Sequence, residues 1–364
     1  MSLTIGIDFG RIVDKSNRLE EIAKQGLPEK GKKYNIVDVA FGTNSEYLAL
    51  LHVDESFDDS GREYLGKLAQ KVTTALKKLE EQEREAESDL EEQRSLIESH
   101  SRFEEDLRIA RVIQQGIIPK QPPEVEGYDI YGILKQSQAV GGDFYYFDQK
   151  NNTLRFVIAD VKGKGVHAAL VVNSLYTALK MHGGDGLEFM NKLSEESVLF
   201  DNDTTFAESG VITNVSMFYG WFDLDRHELN YINAGHPKPI LFGEDGFNME
   251  LDEGGHLMGY QKRFTGLSEY PSTKVSLKPG DSLLIYTDGL YETTNLENEQ
   301  FGMERLESSA DNWASKSSRK MIAGLLGDVK RYTGRIFFDP DKKYSDSTRF
   351  FDDDMAAVAI KRLD

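Results

Sequence analysis

Between Gly66 and Gly116 the chain runs for 49 residues without a proline or a glycine. Residues 65–117 follow a heptad pattern whose a and d positions are mostly apolar at both ends and polar in the middle, around Asp89. At about 1.5 Å per residue, a helix of this length extends roughly 75 Å, which is more than one small core can cover. The pattern therefore predicts a dimerising signal helix of the coiled-coil type, and a solvated charged spacer is the alternative.

The composition restricts the partners and the chemistry that this chain can use. Its 364 residues and 39% hydrophobic share predict two or three folded units. Acidic residues outnumber basic ones by 62 to 43, and the net charge of −19 disfavours nucleic acid and anionic membranes as partners. A phosphate-bearing substrate is repelled as well, unless bound cations reverse the sign locally. The absence of cysteine excludes disulfides, thiolate metal sites and phosphatases that form a cysteinyl-phosphate.

No apolar run reaches the length of about 20 residues that crosses a bilayer, and the N-terminus lacks the features of a signal peptide. We therefore predict a cytoplasmic location and no membrane contact for this chain, which the lack of cysteine also fits. The opening Met1-Ser2-Leu3 is compatible with an artificial leader, so a sensor further upstream in a longer natural protein stays open.

The sequence of residues 1–118 predicts two segments. Residues 1–62 contain a helix that ends near Gly26 and two apolar runs on either side of residues 42–45, which predict a small sensory-like α/β segment with a hairpin. Residues 63–118 form the helical coiled-coil linker, which ends at the prolines that begin with Pro119.

Residues 119–364 are predicted to form a folded domain. Short apolar runs alternate there with turns, and two of these runs flank a hairpin turn at 225–227. This arrangement predicts an α/β (α+β) domain with mainly antiparallel sheets rather than a parallel sheet. The segment 331–350 is interpreted as either a flap over the site or a long loop.

Carboxylates stand at the ends of several predicted strands. Asp143 follows two glycines, Asp160 ends the run FVIAD, Asp288 ends LLIYTD, and Asp353 and Asp354 precede MAAVAI. Any one of them can be a turn residue whose side chain bonds the next backbone amides. If the strand ends converge, the carboxylates instead form an all-oxygen site suited to Mg²⁺ or Mn²⁺. Two such ions about 3.5–4 Å apart activate a water for phosphoryl transfer, so that no protein nucleophile is required.

Six blocks in the later part of the chain carry a family resemblance. Between about residues 107 and 363 they follow one another as IARVIQQGIIP, AVGGDFYYFD, FVIADVKGKGVHAAL, YINAGHPKPILF, LKPGDSLLIYTDGLYET and DDDMAAVAI. Together they resemble the bacterial SpoIIE/RsbU-type serine phosphatases, which belong to the metal-dependent phosphatases of the protein phosphatase 2C (PP2C) type. The resemblance implies a four-layer sandwich of two mainly antiparallel β-sheets flanked by helices, with metal ions in a cleft at one end.

The resemblance also implies which residues hold two Mn²⁺ or Mg²⁺ ions. The matching positions are Asp143, Asp160, Asp288 and Asp353, the backbone carbonyl of Val161, and Asp354 as the alternative register to Asp353. The four matching aspartates are expected to carry catalysis through the water that the ions activate. The chain departs from the family pattern at Tyr146, Lys162 and Ala356, none of which is a primary ligand.

Two polar residues within these blocks have two interpretations each. Lys162 lies in a glycine-rich turn ahead of a helix, where it shapes the cleft or contacts the substrate phosphate, although the spacing of a P-loop is missing. His236 follows the run YINAG, where it caps the turn or protonates the leaving serine oxygen.

The predicted function is hydrolysis of a phosphoserine or phosphothreonine on a regulatory protein, under control of the helical linker. By the resemblance, the substrate is a phosphorylated STAS-type anti-sigma factor antagonist, and a homodimer through the linker is expected. One alternative is a non-catalytic phosphoprotein-binding scaffold of the same fold, against which the intact aspartate set argues. The other is a diguanylate cyclase, whose signature GGDFY resembles, but Phe144 stands where that enzyme needs an acidic residue.

Overall fold

The structure is a computed structural model that describes residues 3–5, 49–51, 59–182, 186–196, 214–258, 269–334 and 353–363. The chain divides into two compact units, residues 1–102 and 103–364. In the first unit, the short strands β1, Leu3–Ile5, and β2, Ala49–Leu51, pair antiparallel. The predicted N-terminal helix, the first strand of the predicted hairpin and the segment from residue 335 to 350 lie outside the described residues.

A single helix, α1, extends from Asp59 to Ile117 and confirms the predicted uninterrupted helix. The described side chains between residues 81 and 106 are exposed. In the last turns Leu107 and Ala110 become partly buried, and Gln114 is fully buried. The heptad side of these last turns therefore packs on the second unit itself, to which they belong.

The second unit contains two five-stranded sheets. Its described strands are β3 Tyr128–Lys135, β4 Asp143–Lys150, β5 Thr153–Val161, β6 Val215–Asp223, β7 Glu228–Ala234, β8 Ile240–Phe242, β9 Asn248–Glu250, β10 Thr273–Ser276, β11 Ser282–Tyr286 and β12 Met355–Arg362. The first sheet has the order β10-β7-β6-β5-β4, and the second has the order β3-β12-β11-β8-β9. All neighbouring strands are antiparallel, as predicted. The predicted hairpin at 225–227 joins β6 to β7.

Helices cover the outer face of each sheet. Helices α2, Val166–Met181, and α3, Gly186–Glu196, pack on the first sheet. The one-turn α4, Gly289–Glu292, and the helices α5, Met303–Ala314, and α6, Ser318–Thr333, pack on the second. The predicted four-layer sandwich is thus confirmed. Among the described residues, no helix has the length and apolar content needed to cross a membrane.

Side-chain alternation sorts each strand between the two layers that it faces. In β5, Phe156 and Ile158 lie in the core between the sheets, whereas Val157 and Ala159 lie under the helices of the first sheet. The next inward position of this strand is Asp160. The same alternation gives inward positions to Asp143 in β4, to Thr287 after β11 and to Asp354 before β12. The apolar core between the sheets is therefore bordered at one end by polar residues.

Candidate functional site

Two aspartates form the centre of the candidate site. Asp143 begins β4 and Asp160 lies one residue before the end of β5, and the two are direct partners across the antiparallel pair. Asp143 is 2% exposed, and its Oδ2 accepts a hydrogen bond of 2.6 Å from Thr287 Oγ1. Thr287 Oγ1 in turn accepts from the backbone amide of Ala356 in β12. The second sheet therefore fixes the orientation of a carboxylate that belongs to the first.

Burial and mutual repulsion shift the protonation of this pair. Burial raises the pKa of Asp143 well above its ordinary value, and the charges of Asp160 and Asp354 raise it further. Burial and the charges of Asp288 and Asp353 raise the pKa of Asp160 to about 7. Two carboxyl groups that cannot both ionise without cost attract any cation that enters the site.

Asp353 and Asp354 are adjacent in sequence but have different surroundings. Asp354 is 4% exposed, and its Oδ1 accepts from the backbone amide and the hydroxyl of Ser137, while its Oδ2 accepts from the amide of Gly142. The side chain of Asp353 is 42% exposed and forms an ion pair of 3.2 Å with Lys164. Asp354 therefore anchors the loop before β4, whereas the side chain of Asp353 is partly exposed to solvent.

Glycines allow the segments of the site to approach each other closely. A Cβ on Gly141 would lie 1.9 Å from Asp354 Oδ2, and a Cβ on Gly289 would lie 1.9 Å from the backbone oxygen of Asp354. A Cβ on Gly142 would lie 2.5 Å from the carbonyl oxygen of Val161. A side chain at any of these three positions would push apart the strand ends that carry the carboxylates.

Asp288 begins the turn into α4 and completes the acidic cluster. Burial and the charge of Asp353 raise its pKa, and Lys164 opposes the shift. Burial and the charge of Asp288 also raise the pKa of Glu292, on the same short helix. The sequence pattern had not singled out Glu292, although its spacing of four residues from Asp288 on a helix is a signal for proximity.

The chemistry of this donor set fits divalent cations. The site offers only oxygen ligands, which hard cations such as Mg²⁺ and Mn²⁺ prefer, and a bound cation would offset the repulsion that raises these pKa values. Within the described ranges, no group of three or more acidic or histidine side chains is arranged so that it could hold a metal ion as it stands. The ligand set predicted from the sequence, Asp143, Asp160, Asp288, Asp353 and the carbonyl of Val161, stays a prediction.

A family model described as "Stage II sporulation protein E (SpoIIE)" matches residues 150–363, which is more than half of the chain. The chain belongs to the SpoIIE family. This confirms the resemblance that the six sequence blocks indicate.

The SpoIIE-family chain has relatives with known names and structures. It is 24% identical over 246 residues to "Phosphoserine phosphatase RsbU" of Bacillus subtilis strain 168, covering 66% of this chain and 69% of that protein. Its fold matches the SiaA-PP2C domain of Pseudomonas aeruginosa with a TM-score of 0.58 at 19% identity, over 73% of this chain and 99% of that domain. It also matches the RsbU and RsbW domains of Rv1364c from Mycobacterium tuberculosis, with a TM-score of 0.53 at 24% identity, over 68% of this chain and 63% of that one. The predicted enzyme class, a protein serine/threonine phosphatase, is thereby confirmed.

His236 lies in the core of this SpoIIE-family domain. It is 4% exposed, its Nδ1 lies 2.8 Å from Ser216 Oγ, and its backbone is clamped on both sides by the side-chain amide of Asn233. Burial lowers the pKa of His236 to about 3, so the imidazole is neutral at physiological pH. These contacts favour the turn interpretation over proton donation to a leaving group in the cleft.

Lys162 and Lys164 share one turn of the SpoIIE-family domain but differ in their contacts. The backbone amide of Lys162 donates to the carbonyl of Asn214, and its side chain is exposed. Of the two lysines, Lys164 contacts the acidic cluster, through Asp353. The two interpretations of Lys162, shaping of the cleft and contact with the substrate phosphate, stay predictions.

Three contacts of the site escaped sequence analysis. Thr287 and Ser137 donate to the aspartates, and each stands beside a glycine or aspartate block that the sequence already singled out. Gln114 of α1 accepts from the amide of Gly141 at 3.1 Å and donates to the carbonyl of Gly141 at 2.7 Å. A polar residue at a heptad core position was the available signal for Gln114.

Proposed function

We propose that this chain hydrolyses phosphoserine or phosphothreonine esters on a regulatory protein and depends on two bound Mn²⁺ or Mg²⁺ ions. The observation that carries the proposal is the cross-strand pair of Asp143 and Asp160, whose burial and repulsion call for a cation. When bound, two such ions supply the Lewis acidity that activates a water for attack at phosphorus.

The residues of the chain have separate tasks in this proposal. Asp143, Asp160, Asp288 and Asp353 hold the ions together with the carbonyl of Val161. Thr287 keeps Asp143 in one rotamer, because its hydroxyl is itself held by the β12 backbone. Asp354, the alternative ligand in the sequence analysis, serves as the anchor of the loop, since both of its oxygens already accept hydrogen bonds.

The scaffold and cyclase alternatives differ in what they require. A buried pair of carboxylates with raised pKa values lowers stability when no cation is bound. This cost has no functional explanation in a non-catalytic scaffold. The cyclase alternative is incompatible with membership of the SpoIIE family and with the antiparallel sandwich.

Metal removal tests the proposed function. We expect hydrolysis of a small aryl phosphate and of a phosphoserine peptide with Mn²⁺ or Mg²⁺, none with chelator, and recovery when the metal is restored. Asp288→Asn should lose at least about 100-fold in turnover, because it removes a charged ligand. The matched control is Asp225→Asn, in the exposed β6–β7 hairpin. A folded protein without turnover in either metal would support the scaffold instead.

The physiological substrate is proposed from the family resemblance. A phosphorylated STAS-type anti-sigma factor antagonist is a small regulatory protein that carries a phosphoserine or phosphothreonine, and RsbU carries the name of a phosphoserine phosphatase. Since the net charge of this chain is −19, such a partner needs a docking face that complements the acidic surface.

Regulation by the helical linker is part of the proposal. The apolar side chains Leu90, Leu96, Ile97 and Phe103 are exposed on α1, which supports pairing with a second copy along this part of the helix. From Leu107 onward, the heptad side packs on the domain instead. A change in the paired helices would therefore reach the site through Gln114 and its contact with Gly141, two residues before Asp143.

Replacement of Gln114 tests this connection. Gln114→Ala removes both hydrogen bonds to the Gly141 peptide and leaves its buried N–H and C=O without these partners. We expect a decrease of about 10-fold in kcat/KM, because a small shift of the loop misplaces Asp143. The control is Gln115→Ala, at the exposed neighbouring position. Equal activity of the two variants would contradict a role of Gln114 in positioning the loop.

A further inference from the structure

The turn between β5 and α2 gives Lys164 a defined position. Gly163 has φ of 111° and Gly165 has φ of 76°, so both neighbours of Lys164 adopt conformations that favour glycine. The turn follows directly on Asp160 and Val161. From it the ammonium of Lys164 reaches to 3.2 Å from Asp353 Oδ1 on the opposite sheet.

The ammonium of Lys164 pairs with an acid that lies beside a second acidic segment. Its partner is Asp353, and a Cβ on Gly289, which stands between Asp288 and Glu292 in the chain, would lie 3.4 Å from the Cβ of Asp353. These three acids come from two segments of the second sheet, whereas Lys164 comes from the first. The ion pair of Lys164 with Asp353 therefore joins the two sheets at the acidic cluster, and both side chains are partly exposed to solvent.

We propose that Lys164 is the counter-ion of Asp353 in the metal-free site. When Asp353 binds a divalent cation, the ammonium of Lys164 leaves this carboxylate and binds a phosphoryl oxygen of the substrate. The proposal rests on the proposed function and adds a residue that contacts the phosphate. A divalent ion outcompetes a single ammonium for a carboxylate because it carries twice the charge. The displaced ammonium is then repelled by the ion and attracted by the dianionic phosphate ester.

The chemistry of lysine suits this exchange. Its ammonium is a compact charge on a flexible four-carbon stem, so it can move several ångströms without any change of the backbone. The side chain of Lys164 is 40% exposed, which leaves room for that movement. An exposed ion pair of this kind contributes little to stability, so its loss to a metal ion costs little.

Lys162 provides the matched comparison. It lies in the same turn, with the same charge, and its side chain is also exposed. Within the part of the chain that the structure describes, it has no ion pair with an acid of the cluster, in contrast to Lys164. A general effect of positive charge near the site should appear in both variants, whereas a specific role should appear only at Lys164.

The test compares Lys164→Met, Lys164→Arg and Lys162→Met in two binding measurements that need no turnover. Titration calorimetry first measures Mn²⁺ affinity without substrate, and then measures the affinity of inorganic phosphate for the Mn²⁺-loaded protein. We expect Lys164→Met to bind Mn²⁺ about 5-fold more tightly, since the competing ammonium is gone. We expect it to bind phosphate about 10-fold more weakly, since a charge-assisted hydrogen bond is lost. Lys164→Arg should stay near the wild type in both.

The proposal would be overturned if Lys164→Met and Lys162→Met had the same affinity for Mn²⁺, or the same affinity for phosphate. Because both measurements use binding alone, they give an answer even if the wild type hydrolyses no phosphoserine peptide. Failure of the proposed function would instead be seen as absent turnover with normal binding. A final kinetic measurement should show an increased KM of Lys164→Met for the phosphoserine peptide.

Discussion

Asparagine in place of Asp160 is expected to abolish hydrolysis and, at the same time, to stabilise the metal-free protein. The substitution keeps the shape of the side chain but removes a charge that the cation needs, so kcat/KM should fall by at least about 1,000-fold. It also removes a buried acid that lies beside Asp143. The cost of ionising that acid in the folded state disappears with it.

The effect on stability depends on pH in a defined direction. An ordinary aspartate has a pKa of 3.8, whereas Asp160 has a pKa of about 7 in the folded protein. At pH values between these two, the folded state therefore binds more protons than the unfolded state. The unfolding free energy of the metal-free wild type should therefore fall as pH rises from about 4 to 8, by about 4 kcal/mol from this residue. Asp160→Asn should lack most of this decrease and be more stable than the wild type at pH 8.

Urea unfolding with chelator measures both proteins at pH 5 and pH 8. Trp221 and Trp313 are the two tryptophans of the chain, and both lie in the second unit, so their fluorescence follows the unit that contains the site. Mn²⁺ should stabilise the wild type at pH 8 and leave Asp160→Asn nearly unaffected, since binding to the folded state alone raises its stability. A metal-free wild type that is equally stable at both pH values would contradict the repulsion between the aspartates.

Replacement of Asp354 is expected to lower the stability of the protein, whereas replacement of the adjacent Asp353 is expected to weaken metal binding. Asp354→Ala removes the acceptor of three hydrogen bonds, two from the part-buried Ser137 and one from the buried Gly142. We expect a loss of about 3 kcal/mol in unfolding free energy. Asp353→Ala removes an exposed carboxylate, and its stability should stay within about 1 kcal/mol of the wild type.

Metal binding distinguishes the two variants a second time. Asp353→Ala should bind Mn²⁺ at least about 10-fold more weakly although it is well folded, because it removes a proposed ligand. The comparison is best made at low temperature, where Asp354→Ala remains folded and its residual affinity can be measured. A stable Asp354→Ala that has lost its metal would show that the ligand register is shifted by one residue.

Strand alternation explains why much of the site could be predicted from sequence. Asp160 ends an apolar run in which every second side chain faces the core between the sheets, so its direction follows from the positions of Phe156 and Ile158. The run after Asp354 gives the same information, whereas the run before Asp288 gives the inward position to Thr287 and not to Asp288. Local pattern was therefore sufficient for the direction of Asp160 and Asp354 but not for that of Asp288.

Contacts between distant segments could not be predicted in this way. The difference between Asp353 and Asp354 depends on Ser137, which is 217 residues from Asp354 in the chain. The direction of Lys164 depends on two glycines with positive φ, which the sequence permits but does not require. The position of Gln114 in the heptad pattern is compatible with pairing to a second helix or with a contact to the loop before β4. Only the packing of the last turns of α1 shows that its side chain contacts this loop.

The strand order of the second sheet bears on how the enzyme is made. β12 is the last described strand in the chain, yet it lies between β3 and β11 and pairs with both. β3 and β11 are therefore joined only after β12 has been synthesised, although β11 also pairs with β8. Asp353 and Asp354 arrive with that strand, so a nascent chain cannot assemble the complete set of carboxylates early. The acidic cluster is therefore complete only once the segment before β12 has joined the second sheet.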